Sequence, residues 1–435
     1  MLLLFSYLQP KTAIIHMLLK RVVVTGLGAL TPIGNTVADY WQALLAGKSG
    51  AAPITHFDAS NFKTKFACEV KGFDPTSILD RKEARKLDPF AQYAIAASDQ
   101  AIADAGLSTD PSINKNRVGV IWASGIGGIF TFQDQIIDYV KGGIGNPRFN
   151  PFFIPKMISD IASGHISIRH GFRGPNFSVV SACASSTNAL IDSFNYIRLG
   201  KADAIVTGGS EAAVTDSGVG GFNAMKALSE RNDSPETASR PFDLHRDGFV
   251  LGEGSGCIIL EEYEHALRRG ATIYAEMVGG GMSGDAYHIT APHPDGLGAL
   301  FVMKDVLDDA HLQPTDIDYI NVHGTSTPLG DISEVKAIEQ FFGDWAYQLN
   351  ISSTKSMTGH LLGAAGAIEA MAAILAVKHD IVPPTINHFT DDPAFDPRLN
   401  FTFLNAQKRT VRAAISNTFG FGGHNASVAF KKFEG

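Results

Sequence analysis

Cys183 lies in FSVVSACASSTNA (177–189), after a short β-branched run and before a string of small residues. A thiol where a strand gives way to a helix meets free N–H groups and the partial positive charge of the helix end. A thiolate there is stabilised, its pKa is expected to fall, and it becomes a nucleophile. Ala182, Ala184, Ser185 and Ser186 leave a substrate room to approach. Taken alone, the same residue reads equally well as a buried structural cysteine.

Two histidines sit in similar settings. His323 opens HGTSTP after the run DYINV, at the C-terminal end of a strand, where α/β proteins place their sites. His360 follows Lys355 in KSMTGHLLGAAGAIEA (355–370), near the start of an Ala- and Gly-rich helix. A helix N-terminus disfavours imidazolium, so a neutral, hydrogen-bond-donating ring is expected. NTFGFGGHNAS (417–427) is a Gly-rich loop after a strand. Its backbone amides could line an oxyanion hole, or it could simply be a tight hairpin turn. VVVTGLGALTPIG resembles a dinucleotide fingerprint, but Thr31 stands where the third glycine belongs. GGSEA (208–212) approaches G-x-S-x-G, with Ala212 in place of the last glycine.

The elements that must hold these residues alternate. Runs at 20–28, 117–125, 177–183, 202–210 and 256–263 read as buried strands. Later runs at 273–281, 318–326 and 411–420 read the same way. Helices are expected over 89–105, 296–311, 331–342 and 360–379, and another begins near Cys183. This is an α/β pattern. The best boundary falls near residue 270, and strand-to-glycine endings in both parts hint at duplication.

The totals set limits. A net charge of −8 argues against sequence-independent nucleic-acid binding. Three cysteines without regular spacing make neither a disulfide framework nor a zinc site, which fits a reducing, cytoplasmic setting. No window has the ~18–20 apolar residues of a membrane span. Residues 1–16 are expected to be an upstream extension, with Met17 as the true start.

Together these motifs resemble the β-ketoacyl-[acyl-carrier-protein] synthases, condensing enzymes of fatty-acid synthesis, and among them the type II elongating branch. The resemblance runs from about Met17 to the C-terminus. It rests on VSACASS, RPFDLHRDGFVLGEGSG (240–256), SGDAYHITAP (283–292), HGTSTPLGD, KSMTGHLLGAAGAIE and NTFGFGGHN. The two-histidine pattern separates the chain from the Cys-His-Asn initiating synthases. What the resemblance implies is a thiolase-like fold: duplicated βαβ halves, 17–270 and 271–435, in a five-layer αβαβα sandwich, with a homodimer usual.

It also implies roles. Cys183 would take an acyl group from acyl carrier protein, with the N–H groups of Cys183 and Phe421 holding the oxyanion. His323 and His360 would hold the malonyl thioester oxygen during decarboxylation. Lys355 would support His360, with Glu369 as its partner. Asp331 and Glu334 match an acidic pair behind the site and read as buried ion-pair groups. Thr325, Thr327 and Thr290 match pantetheine contacts, Phe421 a gate with Asp285 beside it, and Phe222 an acyl-pocket wall. Lys82, Arg85, Lys86 and Lys226 match carrier-docking positions. Phe149 departs from the basic residue often found after Arg148. No metal or redox cofactor is expected, and neither nucleic acid nor membrane is an expected partner. A ketosynthase of a polyene or polyketide pathway shares these motifs and stays open. The histidine pattern argues against a coenzyme A thiolase, and Cys183 against a non-catalytic partner subunit.

Overall fold

The computed structural model describes residues 19–434; the expected extension 1–16 lies outside them. Ten strands form one sheet. In chain order they are β1 (Val22–Leu30), β2 (Val118–Ala123), β3 (Asn176–Val179), β4 (Ala204–Glu211), β5 (Gly254–Glu262), β6 (Ala275–Gly284), β7 (Tyr319–Asn321), β8 (Asn350–Ser352), β9 (Ala413–Gly420) and β10 (His424–Lys431). The principal helices are α1 (Pro89–Asp104), α2 (Ile129–Lys141), α3 (Ile161–His170), α4 (Ser185–Arg198), α5 (Leu297–Ala310), α6 (Pro328–Phe342) and α7 (Ala365–His379).

The sheet order is β8-β7-β9-β10-β6-β1-β5-β4-β2-β3. Each half repeats one scheme. β4 is parallel to β2 and antiparallel to β5; β9 is parallel to β7 and antiparallel to β10. The halves join where β1 pairs with β6, Val22 opposite Met277.

Alternation along the strands builds three apolar layers. Ile121 and Ile258 face a central core with α4 and α7. Val120 and Ile259 face outward onto α1. Ile320 and Ile415 face a third core with α5 and α6. Helices, one half of the sheet, helices, the other half of the sheet, helices: five layers result. α7 has no polar face because it is buried on all sides. Its stretch Leu362–His379 is long and apolar enough to cross a membrane, but its burial between the two halves of the sheet accounts for the composition.

Glycine explains how closely the outer helices approach. A Cβ on Gly28 would lie 2.0 Å from the Ala97 carbonyl oxygen of α1. In the other half, a Cβ on Gly281 would lie 2.6 Å from the Val302 carbonyl oxygen of α5. The Gly-rich VVVTGLG run therefore serves helix–sheet packing. α1 starts sharply because Asp88 accepts the Phe90 N–H and Pro89 occupies the first turn.

Candidate active site

Cys183 is held by a single 3₁₀ turn, Ala182–Ala184, between β3 and α4. Ala182 adopts φ 51°, a left-handed conformation unusual for alanine, and this turns the thiol toward the interior. Gly420, the last residue of β9, crosses directly behind it. A Cβ there would lie 2.8 Å from the Ser181 carbonyl oxygen and 3.1 Å from the Cys183 nitrogen. The next residue, Phe421, points its N–H at the Cys183 sulfur. The Gly-rich loop is thus both things the sequence allowed: a β9–β10 hairpin turn and a cavity wall.

The thiol is only 8% exposed. Burial pushes it up to about 12, opposed by the charge of Lys355 and the Phe421 N–H. The expected fall in its pKa at the helix end is corrected here: desolvation outweighs the opposing groups, so the unloaded thiol is protonated.

His323 and His360 meet edge to face, ring centroids 5.3 Å apart at 88°. Both Nδ1 atoms are buried without a hydrogen-bond partner among the described residues, which leaves Nε2 of each ring as the nitrogen open to the cavity. Both rings are held well below the usual imidazole range. Burial is the main cause, with Lys355 adding to it, and His360 also acts on His323. The expected neutral rings follow, but from burial and a nearby cation rather than from a helix end. His360 precedes α7 by a 3₁₀ turn, Leu362–Ala364.

Lys355 and Glu369 lie behind the histidines. Lys355 Nζ is 2.5 Å from Glu369 Oε1, an ion contact outside hydrogen-bond geometry, and both side chains are 1% exposed. Burial raises Glu369 to about 7 against the pull of Lys355. Among the described residues Glu334 has no cation within 4.0 Å, which corrects the expectation of a direct ion pair. Its carboxylate accepts the N–H groups of His323 and Gly324, at 3.0 and 2.9 Å, and so fixes the loop that carries His323. Asp331 accepts from Phe242 and Ser326 and lies 3.4 Å from Arg246 Nε. Burial raises Glu334 to about 7 and Asp331 to about 6.

One cavity of about 540 Å³ collects most of the expected residues. Cys183, His323 and His360 face it, and Thr325, Thr327 and Thr290 line it with them. The Thr325 and Thr327 hydroxyls are 3.0 Å apart. Phe222 lines it with Phe249, rings 5.3 Å apart, and Phe249 meets His360 at 5.3 Å. Phe421 and Asp285 complete the wall, Asp285 tied to Asn425 at 2.8 Å.

The four basic residues do not gather in one place. Lys226 stands exposed at this cavity, whereas Lys82, Arg85 and Lys86 follow or form the short helix Arg81–Ala84. Arg85 lines a separate cavity of about 420 Å³ with Arg81 and Lys156. Lys86 is paired with Glu83 at 2.7 Å. Phe149 stacks on Tyr139 and Phe153, so it belongs to an aromatic surface cluster. Sequence reasoning singled out the Gly-rich motif that holds Gly420 but passed over Lys156 and most of the loop Ser124–Gly127, which nothing but their three-dimensional neighbours distinguishes.

A thiol and two neutral imidazoles, presented across two like halves by the turns before α4 and α7 and by the end of β7, define a thiolase-like ketosynthase. The comparisons agree. The beta-ketoacyl synthase N-terminal domain matches residues 19–266 and the C-terminal domain matches 274–389. The 3-oxoacyl-[acyl-carrier-protein] synthase 2 of Synechocystis sp. is 52% identical over 417 residues, 95% of this chain and 99% of the relative. That of Coxiella burnetii is 50% identical over 414 residues, with the same coverage. Among solved structures, a beta-ketoacyl synthase from Burkholderia phymatum aligns with TM-score 0.88 at 35% identity, covering 95% of this chain and all of that one. A type II PKS ketosynthase in complex with its acyl-carrier protein aligns with TM-score 0.88 at 33% identity, covering 96% and all of it. The chain belongs to the beta-ketoacyl synthase family.

Proposed function

We propose that the chain is an acyltransferase that elongates fatty acids, a 3-oxoacyl-[acyl-carrier-protein] synthase of the type II kind. The observation that carries this reading is a single cavity faced by Cys183, His323 and His360. The 50–52% identity to the two synthases named above points to the elongating branch.

In this reading Cys183 attacks the thioester of an acyl carrier protein. A new thioester forms at Sγ, and the carrier thiol leaves with the proton. The N–H groups of Cys183 and Phe421 hold the oxyanion. Malonyl-carrier protein follows, its arm met by Thr325, Thr327 and Thr290. Its carbon–carboxylate bond breaks, carbon dioxide leaves, and the electron pair becomes an enolate. Nε2–H groups of His323 and His360 donate to that enolate oxygen, and donors aimed at charge that develops only in the transition state lower the barrier. The carbanion attacks the acyl-cysteine, the Cys183 thiolate departs and regains a proton from water, and the product is a 3-oxoacyl chain two carbons longer. Lys355 supports the site by keeping both histidines neutral, with Glu369 balancing its charge. Glu334 and Asp331 hold the loops, Phe222 walls the acyl pocket, and Phe421 with Asp285 gates it. The residues present need no metal or redox cofactor for these steps.

Lys82, Arg85, Lys86 and Lys226 dock the carrier, and the cations Arg81 and Lys156 near Arg85 support a positive face there. A homodimer is proposed because β3 is a sheet edge and an aromatic cluster at Phe132, Tyr139, Phe149 and Phe153 is left at the surface. Division into halves at about residue 270 is supported by the gap between the two family matches. Three free cysteines support a reducing, cytoplasmic setting. The polyketide reading is favoured only by neighbours such as the type II PKS ketosynthase, at 33% identity.

The test is reconstitution with acyl- and malonyl-carrier proteins, measuring carbon dioxide and product mass. One carbon dioxide per 3-oxoacyl chain is expected. Acyl hydrolysis without carbon–carbon bond formation would overturn the reading.

A further inference from the structure

The two halves repeat the turn that carries Cys183. Ala182 and Leu362 are both left-handed, at φ 51° and 47°. The residues two and three positions on match closely: Ala184 at −87°, −1° against Ala364 at −87°, −12°, then Ser185 at −54°, −50° against Ala365 at −55°, −51°. Gly363 is therefore the counterpart of Cys183. The strands crossing behind them correspond as well. β4 and β9 have eight residues each, and their last residues, Glu211 and Gly420, are counterparts.

What differs is the filling. In one copy Gly420 has no side chain, and the space before Cys183 and Phe421 opens into the cavity. In the other, the Glu211 carboxylate occupies the space. Its Oε2 accepts the N–H groups of Gly363 at 2.9 Å and Gly125 at 2.8 Å. Its Oε1 accepts the Ser124 hydroxyl at 2.9 Å and the Ile126 N–H at 3.2 Å. Glu211 is fully buried, and no cation lies within 4.0 Å of it among the described residues. Four neutral donors converge on one anion, the arrangement of an oxyanion site.

We infer that the fold carries a second, duplicated anion cradle, formed by Ser124, Gly125, Ile126 and Gly363, and that Glu211 is its resident carboxylate. Through it Glu211 is a positioning residue for the reaction cavity. Gly125 and Ile126 line that cavity beside Ala182 and Cys183. Gly363 lies three residues beyond His360. One carboxylate thus ties the wall beside the nucleophile to the turn that follows the second histidine. Emptied of Glu211, the cradle takes a small carboxylate.

The experiment is Glu211→Ala with and without formate, beside Glu211→Gln. Its first readout is thermal unfolding, which does not depend on the proposed reaction. Formate should stabilise Glu211→Ala saturably and leave the native protein unmoved. The second readout rests on the reading of Cys183 as acyl acceptor. Acyl loading should slow about tenfold in Glu211→Ala, the scale of a lost buried charge-assisted hydrogen bond, and recover with formate. A protein that folds only with formate counts in favour. Glu211→Gln keeps the shape but must turn its amide NH₂ toward an N–H donor, so it should melt lower and stay slow with formate. A Glu211→Ala protein indifferent to formate in stability overturns the inference, as does a Gln variant equal to native. Failure of the native protein to load an acyl group counts against the proposed function alone.

Discussion

Lys355 Nζ and Glu369 Oε1 stand 2.5 Å apart in a space that water does not reach. Neither charge has another ionic partner within 4.0 Å among the described residues. The pair holds one positive charge behind two imidazoles, where it works against their protonation. Truncating Lys355 leaves Glu369 as a buried carboxylate without a counter-charge, a change that typically costs ~3–5 kcal/mol. Lys355→Ala should therefore unfold at clearly lower temperature, and Lys355→Ala/Glu369→Gln should regain much of the loss. A double variant no more stable than Lys355→Ala would contradict this account of the pair.

Both histidines titrate far below the ordinary imidazole range because they are buried beside Lys355. The imidazole nitrogen resonances of His323 and His360 in an NMR titration should therefore stay at neutral-ring positions from about pH 6 to pH 8, whatever the neighbouring carboxylates Glu369 and Glu334 do near pH 7. A step near pH 6.5 would show that a ring gains a proton in the working range. The sign for stability follows from linkage. Below the unfolded pKa of ~6.5 the unfolded chain binds a proton that the native ring refuses, so stability contributed by the neutral ring is lost as pH falls. The stability of His323→Gln relative to native should accordingly improve between pH 6.5 and pH 5, measured by denaturant titration.

Gly420 matters because of what lies beside it. A methyl group there would meet the Ser181 carbonyl oxygen at 2.8 Å and the Cys183 nitrogen at 3.1 Å. The turn must move to admit it, and a misplaced reacting group of this kind costs up to ~100-fold. Gly420→Ala should slow acyl loading of Cys183 far more than it lowers the unfolding temperature. Native loading kinetics would refute the close-approach argument.

Reversing the charges of exposed Lys82 and Arg85 should raise KM for carrier-bound substrate with little change in kcat, because surface charges steer encounter rather than chemistry. Steady-state kinetics at low salt would read it. An unchanged KM would remove this surface from the docking proposal.

The sequence was most informative where chemistry and a strand end coincide. Cys183, His323 and His360 each announce themselves by type and by a preceding apolar run, and all three face one cavity. Helix limits were close: 89–105 against Pro89–Asp104, and 296–311 against Leu297–Ala310. Strands ran short where a loop begins early: 318–326 against Tyr319–Asn321, 177–183 against Asn176–Val179. β10 went unseen, since the hairpin turn hid its start. α2 and α3 were also missed, although α2 is clearly amphipathic. Glu211 could not be read at all. Its only local signal is GGSEA, and its meaning lies in amides 86 and 152 positions away. The protonation of Cys183 was misjudged for a related reason: the helix end is local, but the burial that opposes it is not.

The account stands or falls on Cys183 as the acyl acceptor. The direct measurement is the intact mass of the native protein after mixing with an acyl-[acyl-carrier-protein], with peptide mapping of any adduct and a chase with malonyl-carrier protein. The account predicts one acyl group per chain, mapped to Cys183, and its discharge into a 3-oxoacyl product two carbons longer. An acyl group mapped to another residue, or a folded chain that stays unmodified across a series of acyl lengths, would contradict it.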